Sequence, residues 1–335
     1  VSLSRFDNRY GNPGEPGDED PITKGGGEAV VLDMLQDRAE LKGGLNGNLW
    51  IFDGLRFGVA NTQYEHTEFE GEEVGTRFEA EGVEGRVELT HRKLGAWTGA
   101  IGLQAGDRTF EAIGEEAFVP RTNTRSQGLF WVEHGDFGAL QLDFGARVDR
   151  VRTDAAGAPR RTFSPLSLSA GALWNFNDQW RLSLNLDRAE RAPAEEELYA
   201  DGPHVATASY EIGDATLREE RADNIELGLH FHGDRVDAKA ALFRTRFDGF
   251  IFLADTGLST LPEPGEDALP IRVWTQSDAT FTGIEAEVDA TVYDGDAGRF
   301  NVRAFGDRVD AELRGGDNVP RLAPGRFGVD LRWEA

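Results

Sequence analysis

Residues Arg181 to Val236 read RLSLNLDRAERAPAEEELYADGPHVATASYEIGDATLREERADNIELGLHFHGDRV. At one end Leu182, Leu184 and Leu186 alternate with Arg181, Ser183, Asn185 and Asp187. At the other, Ile225, Leu227, Leu229 and Phe231 alternate with Asn224, Glu226, Gly228 and His230. A period of two specifies β-strands with one apolar and one polar face. A long acidic loop carrying His204 separates them, and the tight turn His232–Arg235 follows. The predicted unit is strand, long loop, strand, tight turn.

The unit recurs along the chain. Val83, Gly85, Val87 and Leu89 alternate with Glu84, Arg86, Glu88 and Thr90. Leu140, Leu142, Phe144 and Val148 stand against Gln141, Asp143, Arg147 and Asp149, and Ile284, Ala286, Val288 and Ala290 against Glu285, Glu287, Asp289 and Thr291. The pattern predicts about fourteen strands, most of them roughly 10–18 residues long, well beyond the 5–6 usual in soluble sheets. The connections alternate too. Tight turns at 46–54, 93–96, 134–138, 175–179, 232–235 and 293–298 take turns with longer loops at 10–30, 71–78, 111–121, 152–161, 191–218, 254–271 and 314–322. Short periplasmic turns and long outer loops in this order characterise transmembrane antiparallel β-barrels. The fold expected is therefore all-β, with residues 1–335 forming a single barrel domain.

Composition narrows the function. The net charge of −25 over 335 residues disfavours nucleic acid, whose phosphates need Lys and Arg, and favours cations. There is no Cys, which excludes disulfides and thiolate metal sites, and one Met, Met34. Mean hydropathy is −0.46, and no run of about 18 apolar residues marks a membrane helix. A barrel hides its lipid-facing residues at alternate positions, so neither fact opposes it. The chain opens inside a strand at Val1, which suggests an internal portion of a longer protein. Neither a G-x-S-x-G nor a phosphate-binding G-x-x-x-x-G-K-[ST] motif occurs, so no enzyme is expected. Polar faces bearing Arg86, Glu88, Asp143, Arg147, Arg181, Asp187, Glu226, His230, Glu285 and Glu287 would line a wide, wet lumen as a paired wall. Aromatic residues at strand ends, Trp97, Trp174, Trp180, Phe250, Phe252, Trp274 and Trp333, suit interfacial girdles.

Several segments resemble the barrel of TonB-dependent outer-membrane receptors: RAPAEEELYADGPHVATASYEIGD (191–214), LREERADNIELGL (217–229) and FRTRFDGFIFLADTG (243–257). YEHTEFEGEEVGTRFEAEGVEGRVELTH (64–91) and GEEAFVPRTNTRSQGLF (114–130) resemble the branch that includes zinc-uptake receptors. The resemblance implies a Gram-negative outer-membrane importer with a 22-stranded barrel, energised by the TonB complex of the inner membrane, of which this chain supplies about fourteen strands and lacks the plug domain. It implies a monomer in outer-membrane lipid, with a metal ion, zinc first, or a metal complex as transported substrate, and no bound cofactor. Two departures stand out. The final residues Trp333–Glu334–Ala335 do not end on the usual aromatic, and loop 10–30 carries Glu15, Asp18, Glu19, Asp20 and Glu28 but no His. A ferric-siderophore receptor and a complete fourteen-stranded diffusion channel are the alternatives, with a soluble β-rich binding protein behind them.

If tight turns face the periplasm, loops 71–78 and 191–218 open outward. His204, with Glu70, Glu72 and Glu73, then lies where substrate arrives, and zinc accepts imidazole nitrogen and carboxylate oxygen. His204 and Glu73 are the candidate metal ligands; the plainer role for His204 is a hydrogen bond within its own loop. Glu195–Glu197 after Pro193 predicts a short helix whose acids favour the positive dipole end. His66 and His91 read as structural, and His230 and His232 as a same-face pair at the periplasmic strand end.

Overall fold

Alternation of this kind leaves each strand one oily and one wet face, and the computed structural model shows how the faces are used. It describes residues 1–11, 30–71, 73–114, 117–204, 207–261 and 268–335. The acidic loop positions between 12 and 29 and Glu72 lie outside the described residues.

Seventeen strands form one sheet. In chain order they are β1 (Ser2–Gly11), β2 (Val30–Leu49), β3 (Phe52–Glu70), β4 (Glu73–His91), β5 (Trp97–Ile113), β6 (Thr122–Asp136), β7 (Leu140–Ala155), β8 (Arg161–Phe163), β9 (Leu166–Asn175) and β10 (Trp180–Arg191). A five-residue helix, α1 (Glu195–Tyr199), precedes β11 (Asp201–His204), β12 (Ser209–Ile212), β13 (Glu220–His232), β14 (Val236–Ser259), β15 (Pro270–Gly295), β16 (Gly298–Leu313) and β17 (Arg326–Glu334). Three strands, β8, β11 and β12, are only 3–4 residues long. The other fourteen make an antiparallel meander in which each wall strand pairs with the next, β7 passing to β9 and β10 to β13. Among the described residues no ladder joins β1 to β17, so both are edges.

The opening stretch has the register its pattern requires. Leu182, Leu184 and Leu186 face Leu229, Leu227 and Ile225 across the β10–β13 ladder. Leu184, Leu186, Ile225, Leu227 and Leu229 are all exposed, as are Val83, Val87, Leu103, Leu129, Val148, Leu242, Ile284 and Val288. A band of exposed aliphatic surface this large is an interface with lipid hydrocarbon. The opposite face carries ion pairs: Arg38 of β2 to Glu84 of β4 at 2.8 Å, Arg303 of β16 to Glu287 of β15 at 2.7 Å, and Arg147 to Asp149 two residues along β7 at 2.6 Å. Charges on a watery lumen wall cost little when paired in this way.

The lumen face also shows a repeated packing device. Phe130, Phe243 and Phe305 each lie over the glycine directly across the ladder, Gly102, Gly283 and Gly328, so closely that no Cβ would fit. The ring covers backbone that glycine leaves bare.

Three sequence expectations change. Residues 73–78 belong to a strand, not a loop: Glu70 pairs with Glu73, and Gly71 turns the chain at φ 59°. Only glycine takes that conformation without strain, so a connection of two residues suffices. One outer connection is thus tight, while the six predicted tight turns all hold. Short strands β8, β11 and β12 appear inside loops, being too short to show a period. Finally, the aromatics divide. Trp97, Phe137, Trp174, Phe176, Trp180, Phe231, Tyr293 and Trp333 cluster at the tight-turn end, with ring centroids 4.8–6.4 Å apart. Phe250 and Trp274 instead lie at the loop end, in the small cores there.

Candidate functional site at the loop end of the sheet

Most buried side chains of the molecule sit at the loop end. One cluster joins Ala155, Phe163, Leu198, Tyr199, Leu217 and Ile251; a second joins Phe78, Phe118, Val119 and Ala200; Trp274 packs on both. Phe110 and Ala112 of β5 pack on the second cluster and alternate with the exposed Leu103 and Ile113, which assigns the cluster to the lumen face. The segment between β10 and β13 therefore folds over the lumen rather than out into solvent.

Sequence explains its local form. Pro193 ends β10 by removing a donor. Glu195, Glu196 and Glu197 then occupy the first turn of α1, at the positive end of its dipole. Glu197 accepts the Ala194 amide at 2.7 Å, closing the helix start. These acids do more than solvate the helix. Arg191 donates to both oxygens of Glu197, at 2.8 and 2.9 Å, and to both of Glu220, at 3.0 and 3.2 Å. Glu195 pairs with Arg108 of β5. Leu198, 1% exposed, and Tyr199 fill the space beneath.

Beyond α1, β11 and β12 form a hairpin in which His204 stands opposite Ser209. Nδ1 of His204 donates to Glu211 Oε1 at 3.0 Å, and the ring stacks on Phe118 with centroids 4.3 Å apart. Glu211 is 3% exposed and also accepts the Thr207 hydroxyl at 2.9 Å and the Trp274 indole at 3.3 Å. Burial alone would raise this carboxyl, but the His204 contact and the two other donors hold it below its ordinary value. β12 also runs as a parallel partner of β15, from Tyr210 opposite Ile271 to Ile212 opposite Val273. The result is a partly exposed imidazole whose Nδ1 is fixed by a buried carboxylate. That leaves Nε2 as the nitrogen for an incoming cation, with the ring orientation set by Glu211 and the Phe118 stack.

The predicted partner of His204 is elsewhere. Phe78 is 6.4 Å from the His204 ring, and Glu73 lies five residues farther along β4, about 16 Å away at the usual rise per residue. Glu73 is exposed at the head of that strand. Among the described residues no three His, Asp or Glu side chains converge as a metal cage. His66 stacks on Phe78 at 4.4 Å, and His91 bonds Glu133 at 2.9 Å, in the structural roles expected of them. His230 and His232 share Asp237, at 2.9 and 2.7 Å. Nothing in the sequence joined Glu211, Phe118 and Trp274, because they come from three separate parts of the chain.

The model of the TonB-dependent receptor-like β-barrel family matches residues 3–335. The chain belongs to that family. Membership places it in the outer membrane, among receptors and transporters rather than enzymes. Solved structures agree on the fold. The copper transporter OprC superposes with a TM-score of 0.69 at 15% identity, over 90% of this chain and 50% of its own. The Serratia marcescens hemophore receptor HasR, solved with its hemophore HasA and heme, gives 0.68 at 16% identity, over 98% and 62%. The alcaligin outer-membrane receptor FauA of Bordetella pertussis gives 0.61 at 14%, over 98% and 52%. The chain spans about half the length of the structures it matches.

Proposed function

We propose that this receptor barrel serves active import of a scarce nutrient, energised through the TonB complex of the inner membrane. Its cargo is a metal ion or metal complex, with zinc the first candidate. The observation that carries the cargo class is His204, an imidazole at the outer mouth oriented from behind by Glu211. A transport site needs few, exchangeable ligands, and one oriented imidazole completed by cargo-borne or water ligands meets that need. The acidic balance of the chain favours cations over anions at the mouth. Glu73 remains a second, outlying acid that meets a cation before it reaches His204, rather than a co-ligand.

The wall argues for import over passive diffusion. A fourteen-stranded channel would need β1 paired with β17, and no such ladder occurs among the described residues. A ferric siderophore is the rival cargo, and both cargoes are distinguished by one assay. Cells carrying the full-length gene accumulate radiolabelled zinc, and dissipating the inner-membrane proton gradient abolishes the gain. Unchanged zinc uptake on deletion of the gene overturns the zinc reading, and ferric-chelate uptake lost in its place selects the rival. Gradient-independent entry selects the channel.

A further inference from the structure

The lipid-facing side of the wall changes character toward its loop end. On β10, β13, β14 and β15 the aliphatic band ends at Leu186, Ile225, Leu242 and Ile284, all exposed. Residues two apart on a strand share a face. Two positions farther toward the outer loops, that face carries Arg188, Asp223, Arg244 and Thr282 instead. Such a change on four neighbouring strands marks where hydrocarbon gives way to lipid headgroups.

Several charges in this belt are neutralised within the wall. Arg188 donates to both oxygens of Asp223, at 2.6 and 3.1 Å, and Arg221 pairs with Asp248 at 3.1 Å. Arg308 pairs with Asp310 at 2.8 Å. Arg244 and Arg246 differ. Both are exposed, and neither makes a hydrogen bond or ion pair among the described residues. Their cross-strand neighbours offer no free acid. On the β13 side Arg244 stands opposite Ile225, and Arg246 opposite Asp223, which Arg188 already occupies. On the β15 side they stand opposite Thr282 and Thr280, whose hydroxyls have no hydrogen bond among the described residues. The next acid on that side, Glu312, faces Thr280 from β16, two strand spacings or about 10 Å from Arg246.

A guanidinium bordering hydrocarbon is costly unless it meets an anion, and its planar fork matches two oxygens of a phosphate. Further wall strands cannot supply that anion. β14 lies three strands in from the β17 edge, and the face in question looks away from the lumen. Directly below, Leu227, Leu242 and Ile284 form one exposed aliphatic row across β13, β14 and β15. A phosphate that carries acyl chains satisfies both features together, whereas free phosphate satisfies only the first. We propose that Arg244 and Arg246, bordered by Thr280 and Thr282, bind the phosphate of an outer-leaflet lipid whose acyl chains lie on the row below. The site is on the outside of the wall and is independent of the cargo.

Native mass spectrometry of the full-length receptor, released from detergent with a defined lipid added, tests it. The probes are diphosphorylated lipid A and the same lipid with both phosphates removed. The wild type retains the phosphorylated lipid about tenfold more than the dephosphorylated one. Arg244→Gln/Arg246→Gln abolishes that preference, and Arg244→Lys/Arg246→Lys, which keeps the charge without the fork, leaves an intermediate one. Arg235→Gln, at an exposed arginine in the turn at the other end of β14, leaves retention unchanged. Wild-type heat-dependent gel migration shows that each variant is folded. Equal retention of the two lipids by the wild type, or an undiminished preference in the Gln double variant, overturns the proposal. An equal loss in Arg235→Gln overturns it too, because the effect would then be net charge alone. Displacement of the bound lipid by millimolar inorganic phosphate overturns the lipid assignment in favour of a simple anion site.

Discussion

At the residue scale, Arg191 and Glu211 carry most of the local argument. Arg191 is partly exposed, so its pairs are weaker than fully buried ones, yet both carboxylates it holds are shielded. A double-mutant cycle of Arg191→Gln with Glu197→Gln is expected to give a coupling of about 1–3 kcal/mol, read from unfolding of the full-length receptor. Additive effects would show the fork to be ornamental. Glu211 supplies a pH dependence. Its carboxyl is held below the ordinary value of 4.5, so its anchoring contribution is complete above that value and declines as pH falls through the lower, folded value. Amide exchange in β11 and β12, corrected for intrinsic rates, should therefore stay constant from pH 7 to about 5 and rise in more acid solution. Glu211→Gln should remove that acid dependence; an unaltered profile in the variant would assign it to another group. Of these residues, only His204 and the helix-starting acids were legible in advance. Glu211 follows His204 by seven positions through a hairpin whose strands are four residues each, too short for any period to show.

Elements were far more legible, and for a physical reason. A strand between lipid and water must alternate along its whole length, so its pattern repeats until the noise averages out. Where the environment changes, the reading failed. Residues 73–78 lost their alternation because Phe78 turns into the loop-end core, and they were misread as a loop although Gly71 permits a two-residue turn. Trp274 was assigned to an interfacial girdle, whereas its indole serves Glu211. Within the strands, glycine-aromatic pairs give a sharp test. The atoms nearest to a Cβ at Gly283 all belong to the Phe243 ring. Gly283→Ala should destabilise by about 1–3 kcal/mol through overpacking, and adding Phe243→Ala should recover much of the loss. The midpoint of the heat-dependent shift in gel migration of the folded barrel reads both. No recovery in the double variant would mean that the glycine serves the backbone rather than the ring.

For the whole molecule, two consequences come from one pattern: the wall and the wet lumen. The exposed aliphatic band, the inward ion pairs and the aromatics at the tight-turn end all require that odd and even residues of each strand meet different media. Cargo and energy coupling rest on that frame, since His204 reaches a mouth only if the polar face surrounds a lumen. The most direct test is a nitroxide scan from Asn224 to Phe231 of the full-length receptor in lipid, comparing collision with oxygen and with a water-soluble nickel chelate. The predicted result is a period of two, with Ile225, Leu227, Leu229 and Phe231 oxygen-accessible and Asn224, Glu226, Gly228 and His230 chelate-accessible. Uniform chelate access along the strand would contradict it.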